Sequence, residues 1–323
     1  MFKDALQKTQ LIGTTAEQLR IELDRRTRAG KPDIPAKRKR LAAYNKKLDQ
    51  AIAETFALMD HKGPDHFSRE NTWIWGGPTP YWGGSDEPDC AMKGAEFFGM
   101  DNVVYMYGPT DEEAIRIHKN AKKLLCQLSS ISRSPGVVCG TDEETAELIS
   151  KLSLKYPNIK GGMIDDLIGN FGRNISLKEV KKISAALKKH NPDLKLYSVV
   201  YVGEMDSPFL ELVEPYVDAI NLWVGYKYQL PKLDLAIEKF RLAFPGKEIM
   251  LGIFIYDYFA AANVNGKQFL KIQLERARKY LADGKIHDLV ILGDREINKC
   301  PEESAFVRDF LKKEFEMKGK GKK

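Results

Sequence analysis

A chain of 323 residues, 43% hydrophobic and 30% charged, is long enough to bury a large core and has the balance of a soluble globular protein. No run approaches the ~20 apolar residues that a membrane-crossing helix needs, so a helical span is excluded. The net charge of +6 is carried by the ends. The first 50 residues hold 13 Lys/Arg against 6 Asp/Glu and the last six add four lysines, which leaves residues 51–317 acidic by five charges. A nucleic-acid protein carries its basic stripe on the folded body, so that partner class is not expected.

The N-terminus, MFKDALQKTQ, has no apolar core of a signal peptide. The compartment stays unassigned, because export after removal of a leader and residence in the cytoplasm are both compatible with this chain. The four cysteines, Cys90, Cys126, Cys139 and Cys300, form no C-x-x-C pair and suggest neither a zinc site nor a dense disulfide framework. Cys126 and Cys139 are spaced so that they could bridge, but reduced thiols are the simpler expectation.

Taken in order, residues 1–63 read as a helical extension, a hairpin packed on the main domain. Thr14-x-x-Glu17 has the form of a capping box, and Gly30-Lys31-Pro32 marks a stop. After Pro35, residues Leu41, Tyr44, Leu48, Ile52, Phe56 and Met59 recur at spacings of three and four, one apolar stripe opposite a basic face. The run Lys37-Arg38-Lys39-Arg40 reads as a solvated face.

From Asn71 the pattern changes and repeats. Short β-branched and aromatic runs occur at 71–77, 101–108, 126–133, 160–168, 195–202, 217–224, 248–258 and 288–295, with amphipathic stretches between them. Several of these stretches open on cap signals: Thr110-x-x-Glu113, Thr141-x-x-Glu144 and Ser176-x-x-Glu179. Eight strand–helix units in about 250 residues predict an α/β fold, a (β/α)8 (TIM) barrel over 64–317, preceded by the helical extension 1–63 and followed by a basic tail, 318–323. An open doubly wound sheet fits less well, since no G-x-G-x-x-G follows a first strand.

A parallel barrel does its chemistry at the carboxyl ends of its strands. Those ends offer Trp75 and the loop residues Tyr81 and Trp82, then Tyr107, then Ser130, Ser132 and Arg133. The second half offers Asp165 and Asp166, Tyr201 and Glu204, Asn221 and Trp223, Tyr256, Asp257 and Tyr258, and finally Asp294, Arg295 and Glu296. Carboxylates and aromatics dominate. His61, His66, His118, His190 and His287 all fall away from these ends, which argues against a histidine-rich zinc barrel. No lysine ends a strand, so Schiff-base chemistry is not expected. No glycine-rich cradle follows the last two strands to hold a phosphate.

Paired carboxyls between aromatic walls suit the cleavage of a glycosidic bond. One acid keeps a proton for the leaving oxygen while the other stays ionised, and neighbouring carboxyls push each other's pKa values apart. Tyr and Trp present flat apolar faces with a polar edge, which match the faces of a sugar ring. Residues 71–317 resemble the glycoside-hydrolase-like (β/α)8 barrels, through strand-end acids in GGMIDDLI and VVYVGEMD and strand-end tryptophans in WIWGG and INLWVG. The resemblance implies a carbohydrate-active protein. Many such barrels place a Glu at the ends of strands four and seven, positions held here by Asp165/Asp166 and Asp257.

The expected catalytic residues are therefore Asp165 or Asp166 as nucleophile or base, Glu204 as general acid and Asp257 in reserve. Substrate contacts are expected from Trp75, Tyr81, Trp82, Tyr107, Arg133, Asn221, Trp223, Tyr256, Tyr258, Arg295 and Glu296. Each has a plainer structural role open to it: Glu204 as a first-turn acid near a helix start, Asp257 and its tyrosines as barrel rim, Asp294-Arg295-Glu296 as an ion-pair cluster that orders a loop. The expected ligand is a carbohydrate, with no organic cofactor and no metal; oligomeric state is unassigned. Two rival readings stay open, a divalent-cation barrel that holds its metal with Asp/Glu oxygens and runs isomerase, lyase or phosphodiester chemistry, and a carbohydrate-binding barrel without catalysis.

Overall fold

The structure, a computed structural model, describes residues 2–30, 34–59, 63–259 and 263–317. Lys31, Pro32, His61 and the basic tail lie outside the described residues, as do the side chains of Ile52, Phe56 and Met59. The chain falls into two compact units, Met1–His61 and Lys62–Lys323.

The first unit is two helices, α1 (Phe2–Arg28) and α2 (Pro35–Met59). They run antiparallel: a methyl group at Gly13 would meet Leu48, and Lys37 pairs with Glu22. Ala16, Leu19 and Leu23 of α1 are buried. Thr14 opens no helix. Its hydroxyl donates to the Gln10 carbonyl inside α1, the local bond a threonine makes when the helix runs on past it.

The second unit is a closed barrel of eight parallel strands. They are β1 (Thr72–Gly76), β2 (Asn102–Tyr105), β3 (Lys123–Gln127), β4 (Ile159–Ile164), β5 (Lys195–Tyr201), β6 (Ala219–Trp223), β7 (Glu248–Phe254) and β10 (Asp288–Leu292). A two-stranded antiparallel ribbon, β8 (Tyr256–Asp257) with β9 (Asn263–Val264), rises from the end of β7. Helices alternate with the strands: α3 (Cys90–Phe98), α4 (Glu112–Ile117), α5 (Asp142–Leu152), α6 (Leu167–Asn170), α7 (Leu177–Leu187), α8 (Phe209–Val213), α9 (Leu233–Ala243), α10 (Lys267–Ala282), α11 (Glu296–Lys299) and α12 (Pro301–Glu316). The capping boxes Thr141–Glu144 and Ser176–Glu179 are formed. The helix after β2 is capped one residue later than its spacing predicts. Asp111 accepts from the Ala114 amide, and Thr110 donates to the Gln127 carbonyl at the end of β3.

Strands buried on both faces explain the near-continuous apolar runs. In β1, Ile74 packs outward with the helices, whereas Trp73 and Trp75 fill the barrel interior. In β10, Leu289 and Ile291 face out, and Val290 and Leu292 face in. Large interior rings need small neighbours. Gly252 of β7 stands opposite Trp223 of β6, and a methyl group there would lie 2.2 Å from the indole. At the other end of the barrel, Lys195 pairs with Glu248 at 2.7 Å and the Trp73 indole donates to Asp288 at 2.9 Å. That is the end where barrels secure stability rather than chemistry.

Several strands end earlier than expected: the runs 101–108, 160–168 and 288–295 stop at Tyr105, Ile164 and Leu292, and two further boundaries move candidate site residues off their strands. The third strand is KLLCQ, not 126–133; Ser130, Ser132 and Arg133 lie in the loop beyond it. Serine–isoleucine alternation imitated a strand, but the pairing with the strands on either side ends at Gln127. The seventh strand stops at Phe254, so Tyr256 and Asp257 belong to the ribbon. All four cysteines are free thiols.

Gly252→Ala is expected to cost about 1–3 kcal/mol, the range of an overpacked core. A fall in the urea midpoint at unchanged m-value measures it, and an unaltered midpoint would show that the indole can move aside.

Candidate active site

The carboxyl ends of the barrel strands enclose a cavity of about 320 Å³. Its floor and walls are Trp75 from β1, Trp223 from β6, Phe254 from β7 and Leu292 from β10, all deep in the barrel interior. Higher up stand Trp82, Tyr107, Tyr201 and Tyr258, with Arg295 at the rim after β10. Asp165 and Asp166 are the acids of this lining.

Consecutive strand residues point to opposite faces, so two adjacent acids could not both enter the lumen from a continuing strand. β4 ends at Ile164, however, and Asp166 takes up the left-handed conformation, with φ of 47°. That turn brings both carboxyls to one cavity. Among the described residues only one other non-glycine has positive φ, and it is Tyr107, at 71°. Its amide donates to the Gln127 side chain, which holds the unusual backbone in place. Both outliers line the cavity, and strained backbone of this kind collects at functional sites, where surrounding structure sustains it.

The electrostatics follow from burial. Asp165 is shut among rings and beside Asp166, which together push its carboxyl up to about 7; the Ser132 hydroxyl and the Arg295 charge act in the opposite direction. Burial also raises Asp166, while the Tyr201 hydroxyl, donating to its Oδ1 at 2.7 Å, favours its ionised form. Burial lifts Glu204 to about 7. Its carboxylate accepts from the Tyr201 amide at 2.9 Å and from Gly169, so it fixes the residue that holds Asp166 but does not itself line the cavity.

The walls are locked as firmly. The Trp75 indole donates to the Tyr107 hydroxyl at 2.8 Å, and the Trp223 indole donates to Asn221 at 2.8 Å. Asn221 is fully buried, and its amide also donates to the Met250 carbonyl, so it orients Trp223 from below without reaching the cavity. Arg295 donates through Nε to Tyr258 and to Glu296, with its guanidinium over the Tyr258 ring at 4.4 Å and the Tyr107 ring at 5.6 Å. Asp294 ties the loop to β1 by accepting from the Gly77 and Arg295 amides.

The remaining expected residues lie elsewhere. Arg133 turns back to the Leu128 carbonyl and Thr145, joining the β3 loop to α5. Asp257 is buried within the ribbon, where it accepts from the Phe259 amide and faces Lys227 at 3.6 Å. Tyr256 lies under the Lys299 ammonium, 3.8 Å from its ring centre. Glu296 is wholly buried beside Arg295, and Tyr81 is exposed beyond Trp82. Six residues of the cavity were not among the expected site residues: Ile131, Ser132, Tyr201, Phe254, Phe259 and Leu292. Tyr201 closes β5 and, like Ser132, is among the strand-end residues named above without a role of its own. Among the described residues no three His, Cys, Asp or Glu side chains converge as a set of metal ligands.

No family model matches this chain, and no curated protein matches it in sequence. Among solved structures the barrel is similar to a Bacteroides thetaiotaomicron protein described as a proposed α-L-fucosidase (TM-score 0.52, 12% identity, 80% of this chain and 96% of that one). It is similar to active domain 2 of a thermostable chitinase from Pyrococcus furiosus (0.51, 12%, 79% and 99%) and to a β-D-glucuronidase of Dictyoglomus thermophilum (0.50, 10%, 79% and 53%). At such identities the likeness establishes the fold alone, a (β/α)8 barrel. No described helix is long and apolar enough to cross a membrane.

The raised carboxyl of Asp165 has a sign that stability can test. Below about pH 4 the group is protonated in folded and unfolded chains alike. Between there and about 7 the folded protein keeps a proton the unfolded chain has released, so stability falls as pH rises, and above 7 the full penalty is present. Asp165→Asn should therefore stabilise the protein at pH 8, by on the order of 2–4 kcal/mol, with the gain gone near pH 4. Urea unfolding at the two pH values measures it, and an equal effect at both would contradict the shift.

Proposed function

We propose that this barrel is a glycoside hydrolase that uses the Asp165–Asp166 pair. The observation that carries the reading is two buried, adjacent carboxyls brought by a strained backbone turn into one cavity walled by tryptophan and tyrosine. The barrel's likeness to carbohydrate-processing barrels supports it at the level of fold.

The two environments suggest the division of roles. Asp165 holds its proton near neutrality and is suited to deliver it to the leaving glycosidic oxygen. Asp166, stabilised as carboxylate by Tyr201, is suited to receive the developing positive charge at the anomeric carbon or to act as base. As the C–O bond breaks, the proton from Asp165 goes to the departing hydroxyl. Water then supplies the hydroxyl of the new reducing end, and its other proton returns to the carboxyl pair. Glu204, expected as the acid, is better suited as a positioning residue that holds Tyr201. Trp75, Trp223 and Tyr258 offer ring faces to the sugar.

On a confirmed glycan substrate, Asp165→Asn and Asp166→Asn should each lower kcat by about 100-fold or more, the scale of a lost acid–base group. Full activity in both variants would sink the proposal. The pH profile offers a second check. Activity should decline as pH rises through about 7, where Asp165 loses its proton. Because the Asp166 charge raises Asp165, the residual activity of Asp166→Asn should decline at lower pH than the wild type; a limb that does not move would separate the two groups.

A further inference from the structure

Two series of aromatic rings leave the cavity, and each becomes progressively more exposed along its length. On one side Trp75 meets Tyr107, Tyr107 meets Trp82 and Trp82 meets Tyr81, with ring centres 5.5–6.5 Å apart. Their exposures rise in that order, 2%, 8%, 39% and 72%. On the other side Trp223 meets Phe254, Phe254 meets Phe259, Phe259 meets Tyr226 and Tyr226 stacks on Tyr228. Here exposure rises from 2% through 9%, 36% and 37% to 72%.

Isolated exposed rings need no explanation, but two graded series that start in the same cavity do. Their placement around the barrel is equally specific. The first series is carried at the ends of β1 and β2, and the second at the ends of β6 and β7. In the ring of strands only β10 separates β1 from β7, whereas β3, β4 and β5 separate β2 from β6, so the two series stand at separate places around the mouth. The acid pair at the end of β4 stands on the longer arc between them, and Arg295 after β10 stands on the shorter one. A chain laid from one series to the other therefore passes between the carboxyls and the guanidinium.

Both series have built supports. Lys227, between Tyr226 and Tyr228 in sequence, is drawn to the buried Asp257, which gives that acid a role in holding the second series. On the first side Trp82 and Arg295 also border a neighbouring cavity of about 540 Å³, with Gly83, Gly84 and Lys299. The central cavity alone is at the small end of ligand pockets, which run from roughly 300 to 1,000 Å³. It has room for a short saccharide, and the rings continue well beyond it.

We infer that the substrate is a polysaccharide or long oligosaccharide chain laid across the barrel mouth on both ring series and cut at an internal bond. This rests on the glycoside hydrolase reading and adds the length of the substrate and the mode of attack. A monosaccharide at a chain end would use the cavity and leave Tyr81 and Tyr228 without a ligand. An internal segment would stack on both, because a sugar ring has an apolar C–H face that suits an aromatic ring at each position.

The test uses the full chain carrying Asp165→Asn and Asp166→Asn together, so that binding is read without turnover. Probes are ladders of one to six units of β-1,4-linked glucose, xylose, mannose and N-acetylglucosamine, titrated by calorimetry. In at least one series affinity should rise steadily beyond two units. Tyr81→Ala and Tyr228→Ala, each introduced into that background, should lower six-unit affinity about tenfold and flatten the rise. The wild type should release mixed-length products from an end-labelled six-unit chain. Affinity that stops rising at two units, six-unit binding indifferent to both alanine variants, or release of single units only would overturn the inference while leaving the hydrolase reading in place. Binding of none of the four series would overturn both.

Discussion

The site depends on one backbone event, the left-handed turn at Asp166. A strand that continued by even one residue would send one carboxyl into the barrel and the other into the helical layer, where an unpaired acid is costly. By ending β4 at Ile164 the chain gives up regular pairing at the one place where it gains two acids in one cavity. Left-handed backbone is unfavourable for a residue with a Cβ, although Asp tolerates it better than most. Contacts elsewhere sustain the turn: Tyr201 holds the Asp166 carboxylate, Glu204 holds the Tyr201 amide, and Asn170 donates to the Asp166 carbonyl.

Desolvation and hydrogen bonding then divide two chemically identical groups. The aromatic walls remove water from Asp165, and the adjacent negative charge makes its ionisation harder still. Asp166 is also buried, but it has a donated hydroxyl hydrogen bond to lean on. The rings thus do two things at once: they wall the cavity and they raise the pKa of the acids. The same logic applies to the interior tryptophans, whose indole N–H groups cannot be left unpaired. Tyr107 and Asn221 accept from them, and so become part of the site's geometry without adding chemistry of their own.

Much of this was legible in the sequence, and the exceptions have physical causes. Eight short apolar runs with capped amphipathic stretches between them predicted the barrel because both periodicities are local. The acid pair, Trp75, Trp82, Tyr107, Trp223, Tyr258 and Arg295 were identified from their positions at strand ends and line the cavity. Arg133 was read as a strand-end residue because polar–apolar alternation continued three or more residues past the true end of β3. Asp257 sits at a nominal strand end, but the chain turned into a ribbon two residues earlier. Glu204 and Asn221 are near the chemistry yet act on its neighbours, a distinction carried by side-chain direction rather than by spacing. Phe254 and Phe259 carry no polar group to draw attention, and their importance lies only in which rings they touch.

The sequence by itself determined the barrel, the end of it that holds the candidate site, and the kind of side chain found there, because strand and helix periods and caps are properties of neighbouring residues. Tertiary structure alone decided that Asp165 and Asp166 share one cavity, that Glu204 and Asp257 do not line it, and that scattered tyrosines join into two graded series across the mouth. Those outcomes turn on one φ angle and on contacts between residues tens to hundreds of positions apart, and no local pattern encodes them.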